Sequence, residues 1–73
     1  MDEHEVNEVL QRSGEDRPGR EGSRVALGQT RSGRYLRVIY VPESNSDQIF
    51  VITAYDLRGK PLKAYQRRNR RRS

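Results

Sequence analysis

The sequence predicts an α+β fold in the order α-β-β-β-α, with an N-terminal helix, a three-stranded antiparallel sheet and a basic C-terminal helix. Three observations predict it. Val6, Val9 and Leu10 recur at helical spacing behind a cluster of acids. Runs rich in β-branched and aromatic residues, RVALGQT, RYLRVIYVP and QIFVITAYDL, are separated by Gly, Ser, Asn and Pro. Finally, PLKAYQRRNRR follows Pro61 with good helix formers.

The first helix covers residues 2–12, where acids near the start suit the positive end of the helix dipole and Asp2 is available as a cap. From Ser13 to Ser23 the segment SGEDRPGREGS has no periodicity and reads as a mobile irregular connection. In RVALGQT, Val25 and Leu27 share a face, and Arg31-Ser32-Gly33 turns the chain into the next strand. There Leu36, Val38 and Tyr40 point one way while Tyr35, Arg37, Ile39 and Val41 point the other, so that strand is expected at the centre of the sheet. Pro42 ends it, and ESNSDQ is turn chemistry. In the third strand Ile49, Val51, Thr53 and Tyr55 alternate with Phe50, Ile52 and Ala54. Leu62 and Tyr65, three apart, dock the last helix on the sheet. Beyond Asn69 nothing apolar remains, so residues 1–69 are read as one domain and 70–73 as a disordered basic tail.

A chain of 73 residues makes one small domain whose functional site is an open surface rather than an enclosed cavity. The absence of cysteine removes disulfides and thiolate zinc sites and favours a reducing, cytoplasmic setting. No apolar run approaches the roughly 18–20 residues that span a bilayer, and the acidic start is the reverse of a signal peptide. No membrane role is expected.

Charge is sorted along the chain: residues 1–16, 17–57 and 58–73 carry −5, +2 and +8. The final sixteen residues hold eight Lys or Arg and no carboxylate. Such a segment attracts polyanions, and the planar guanidinium fork suits phosphate. The same charges also serve solubility, or docking on an acidic protein.

Neither a P-loop, a dinucleotide fingerprint nor a metal-ligand cluster is present, so no cofactor and no metal is expected. His4, the one histidine, lies in the acidic helix and reads as an exposed side chain rather than a general base. Arg34 and Arg37 precede or lie within the central strand, and Arg37 shares a face with Tyr35 and Ile39. A cation there stands at an open sheet surface or is paired, which makes this a candidate binding face with Tyr35 and Tyr55 as its aromatic part.

The run ALGQTRSGRYLRVIYV followed by IFVITAYDLRGKPLKAY resembles the BrnT-like toxins of bacterial type II toxin–antitoxin systems, within the broader RelE-like group of small ribonucleases. Gly28, Thr30, Gly33, Arg34, Tyr35 and Leu36 match the first part of the family pattern, and Thr53, Ala54, Lys63 and Tyr65 the second. The resemblance implies a RelE-like fold, RNA as substrate and an antitoxin protein as partner. It also implies metal-independent endoribonuclease chemistry, in which the RNA 2′-hydroxyl attacks the adjacent phosphorus. On this reading the catalytic candidates are Arg34 and Arg37 for phosphate and Tyr55 and Tyr65 as proton donor or stacking residues. Tyr35, Arg58, Lys60, Lys63, Arg67 and Arg68 are the RNA-binding candidates.

Two departures qualify the resemblance: Tyr55 stands where the family carries Arg, and the acid expected early in the last helix is replaced near Pro61. Both point toward an attenuated enzyme or a pure binder. The family's extra N-terminal strand and lysine-rich segment are also lacking, which leaves a sheet edge open to pairing with a partner chain or with a second copy as a homodimer. Two readings without catalysis stand beside the enzyme: a non-catalytic RNA-binding module, and an interaction protein whose basic helix docks on an acidic partner.

Overall fold

The computed structural model describes residues 3–43 and 48–72. The cap assigned to Asp2 and the centre of the turn before the last strand lie outside the described residues. Helix α1 (Glu3–Gln11) is followed by strands β1 (Glu15–Pro18), β2 (Arg24–Gln29), β3 (Tyr35–Pro42) and β4 (Ile49–Asp56), then helix α2 (Gly59–Arg72). The class and the two terminal helices match the expectation, but the sheet has four strands in the order β1-β2-β3-β4, every neighbour antiparallel. Helix α2 continues past Asn69 to Arg72, and Ser73 lies outside the described residues.

The additional strand is β1, inside the segment expected to be an irregular connection. Its sequence, Glu-Asp-Arg-Pro, has no apolar alternation to announce it. It is held by polar means instead. The Gly14 N–H donates to the Leu27 carbonyl at 2.9 Å, and Arg24 Nε donates to Asp16 Oδ1 at 2.7 Å. Asp16 also accepts from the Tyr40 hydroxyl. A tight turn returns the chain to β2, with Glu21 and Gly22 both at positive φ (54° and 80°) and Ser23 Oγ donating to the Arg20 carbonyl at 2.6 Å.

The period-2 pattern of β2 and β3 sends side chains to two separate cores. On one face Val9 of α1 packs with Ala26, Leu36, Val38 and Tyr40, flanked by Val6, Leu10 and Ala54. On the other, Leu57 and Tyr65 pack with Val25 and Leu27, flanked by Tyr35, Ile39 and Leu62. The sheet therefore lies between α1 and α2, and β3, paired on both sides, runs through its interior. Val9, Leu36 and Val38 are fully buried, each contributing about 2 kcal/mol through apolar burial. Gly28 lets α1 come close, because a Cβ there would sit 3.2 Å from Val9 Cγ1 and 3.4 Å from Ser13 Cα.

Strand β4 departs from strict alternation. Ile39 faces Thr53 but Tyr40 faces Val51, so Ile52 is an extra residue in a β-bulge. Residues directly opposite share a face, which sets Val51 on the α1 side with Tyr40 and Phe50 on the α2 side with Val41. The expected grouping of Ile49 and Val51 with Thr53 and Tyr55 is broken at that point. β4 forms one edge of the sheet, and Ile49, Phe50, Val51 and Ile52 are all exposed along it.

Candidate nucleic-acid interface

Helix α2 crosses the sheet face that carries Val25, Leu27 and Arg37, and beside the crossing lies an open cleft of about 370 Å³. Pro18, Gly19, Val25, Leu27, Leu57, Pro61 and Ala64 line its apolar walls, and Arg17, Arg37 and Arg68 bring three guanidinium groups to it. Arg37 comes from the sheet interior, Arg17 from the first strand and Arg68 from the last helix.

Arg37 is the unusual member. It stands in β3 opposite Leu27 on one side and Tyr55 on the other, in an otherwise apolar row. Its Nε is buried and meets no hydrogen-bond partner among the described residues. The guanidinium carbon lies 5.7 Å from the centroid of the Tyr55 ring, close enough for a cation–π attraction of about 0.5–1 kcal/mol. That attraction does not replace the hydrogen bonds the group made in water. No carboxylate lies within 4 Å of it among the described residues. The cation is thus fixed in direction and left with capacity to bind.

The other two arginines are braced. Arg68 donates to Glu15 from Nε and Nη2, and Arg17 donates to the same carboxylate. The hydrogen bonds from Arg68, and then Arg17, hold the Glu15 carboxyl below its ordinary range. One carboxylate thereby positions two cations at the cleft, and the three guanidinium groups leave it net positive.

The structure distributes the sequence candidates unevenly. It brings Arg37 and Tyr55 together, with Tyr55 half-exposed. Arg34, assigned to phosphate, is instead committed elsewhere: it donates to Glu5 Oε1 at 3.0 Å and to Asp56 Oδ1 at 2.7 Å, tying α1 to the end of β4. Arg58 shares Asp56 at 2.8 Å, and the hydrogen bonds from Arg34 and then Arg58 hold that carboxyl below its usual value. Tyr65 is 2% exposed, its ring edge-on to Tyr35 with centroids 6.1 Å apart. It packs as a core residue under α2, and Tyr35 beside it is half-buried. Lys60, Lys63 and Arg67 are exposed on α2 and make no ion pair among the described residues.

Arg17 escaped the sequence reading, because it lies in a segment with no strand signal and only the fold carries it to the cleft. The acids of α1 are drawn to the opposite side of the sheet. Glu5 meets Arg34 and Ser32, and Glu8 accepts from the Arg31 N–H at 2.8 Å. His4 is on that side too, 3.9 Å from Glu8. Among the described residues no group of three or more His, Cys, Asp or Glu side chains could hold a metal, and no helix is long and apolar enough to cross a membrane.

No protein-family model, curated protein or solved structure matches the chain.

Proposed function

We propose that this protein binds single-stranded RNA on the α2 side of the sheet and holds it without cutting it. The observation that carries the reading is Arg37: a guanidinium fixed in an apolar row, with a buried Nε lacking any acceptor and an exposed tyrosine ring beside it. A phosphate oxygen accepts from the outer nitrogens of this guanidinium where Arg37 lines the cleft. A base of the same strand stacks on Tyr55, while Lys60, Lys63 and Arg67 of α2 follow the backbone. Single-stranded RNA is favoured over duplex because the aromatic surface is reached by an unstacked base.

Cleavage by the BrnT-like route is the second reading, favoured by the resemblance in Gly33-Arg34-Tyr35-Leu36 and Thr53-Ala54. It requires a proton acceptor at the phosphate. Beside the cleft, Glu15 is occupied by two arginines, the Tyr65 ring is buried, and His4 lies across the sheet. Binding without cleavage needs none of these groups.

The experiment is a gel-shift titration of end-labelled single-stranded RNA, followed by denaturing electrophoresis of the same samples. Retarded but intact RNA is expected, with log K falling against log salt by about 0.7 per phosphate contacted. Arg37→Ala is expected to weaken binding without unfolding the protein. Fragments ending in a cyclic phosphate establish the nuclease. No retardation even in dilute buffer, with an acidic protein captured through α2 instead, removes RNA from the account.

A further inference from the structure

The outer edge of β4 has no partner strand among the described residues, and it is unlike the edges that soluble proteins leave open. Such edges usually carry Lys, Pro or inward-pointing charge. Here the run from Ile49 to Tyr55 contains no charged residue, and its side chains are exposed on both faces: Phe50 is 65% and Ile52 54% accessible. Neither helix covers Phe50 or Ile52. Arg34 and Arg58 already engage Asp56 at its end.

We propose that β4 pairs antiparallel with β4 of a second copy about a twofold axis near Ile52, joining two four-stranded sheets into one of eight strands. The inference does not rest on the RNA reading, although the two share Tyr55, whose ring lies between the β4 edge and Arg37. Several features select a second copy. An edge strand needs an extended partner, and this one needs a partner apolar on both faces across seven residues, which β4 itself is. Centring near Ile52 overlaps the whole uncharged run and keeps Asp56 of one copy well away from Asp56 of the other. The bulge lies near the axis, so both strands bend at the same place. Five half-exposed apolar side chains from each copy bring the contact to the order of 1,000 Å² that a specific interface requires.

A twofold axis between antiparallel neighbours stands perpendicular to the sheet, so both α2 helices and both clefts emerge on the same face. Each chain carries +5. Added salt therefore relieves repulsion and tightens the pair, the opposite of its effect on an RNA complex.

The test is the solution mass of the full chain against concentration and salt, together with cross-linking. The wild type is expected to reach twice its 8.5 kDa at roughly 100 µM, more readily at about 0.5 M salt. Ile52→Lys is expected to remain monomeric with an unchanged circular dichroism spectrum and to retain RNA binding at low protein concentration. Because the native chain has no cysteine, Ile52→Cys places a single thiol near the axis. It is expected to oxidise to a disulfide-linked pair faster than Gln11→Cys on the exposed side of α1. A monomeric wild type under all conditions, an Ile52→Lys dimer, or equal cross-linking by the two thiols each overturns the proposal. Loss of RNA binding in a protein that still dimerises sinks the RNA reading alone.

Discussion

Arg68 of the last helix donates two hydrogen bonds, at 2.5 and 3.0 Å, to the carboxylate of Glu15 in the first strand, across 53 residues of chain. The pair closes the fold between its least apolar strand and its most basic helix. The Glu15 side chain is only 10% exposed, whereas Arg68 stays 44% exposed. The carboxylate is the enclosed partner.

Glu15 titrates below its ordinary 4.5 in the folded chain. A depressed carboxyl contributes stability that is complete above the unfolded value and is lost as pH falls through the folded one. The unfolding midpoint is therefore expected to fall as the solution is acidified below about pH 4.5, and Glu15→Gln to flatten that limb while costing about 1 kcal/mol at neutral pH. Thermal melts of both proteins across that range measure it. An identical acid limb in the variant would assign the dependence to Asp56 and its partners instead.

Gly28 is where α1 approaches the sheet most closely. A Cβ there meets Val9 Cγ1 at 3.2 Å, and behind it the backbone at Ser13 and Arg12, which has no freedom to withdraw. Gly28→Val is expected to cost about 2–3 kcal/mol by overpacking, read as a shift in the urea midpoint. Gly22→Ala, at a glycine with open space around it but a positive φ, is expected to cost about 1 kcal/mol.

Arg37→Met keeps much of the side chain's volume and removes a buried nitrogen that has no acceptor. The expected result is a protein about 1 kcal/mol more stable with weakened RNA affinity, since the group that strains the free fold is the one that meets phosphate. Chemical denaturation and RNA titration on one preparation check both halves. A variant that loses stability would show that Arg37 serves packing.

Arg34→Ala is expected to lower the melting temperature and to leave RNA affinity per folded molecule unaltered. The substitution strands Glu5 and Asp56 and frees α1 from the end of β4. Lys63→Ala, which removes a cation with no described partner, is expected to do the reverse and to reduce the slope of affinity against salt.

What was legible in the sequence follows from the kind of signal each element carries. Alternation exposed β2 and β3 because both are buried through their centres, and Leu62 with Tyr65 placed α2 because their spacing matches one helical stripe. Strand β1 left no such trace: it is held by the Gly14 N–H and by the Asp16 contacts to Arg24 and Tyr40, all with partners distant in sequence. The bulge at Ile52 was hidden for a related reason, since a run apolar on both faces does not report a one-residue change of phase. At the candidate site, a cation in an apolar strand singled out Arg37 as a residue needing explanation, and its Nε is buried without a partner among the described residues. Composition treated the arginines alike, and only folding separates those with carboxylate partners, Arg34, Arg58 and Arg68, from Arg37.

The placement of α1 and α2 on opposite sides of one sheet turns a linear separation of charge into a hemispheric one. On the α1 side Glu5 and Asp16 are offset by Arg34 and Arg24, whereas Lys60, Lys63 and Arg67 of α2 stand on the other without ion-pair partners among the described residues, which gives the molecule an electric polarity across the sheet. In the field of a phosphate chain it rotates before it touches, so that encounters begin with the α2 side already turned inward and the orientational search is shortened.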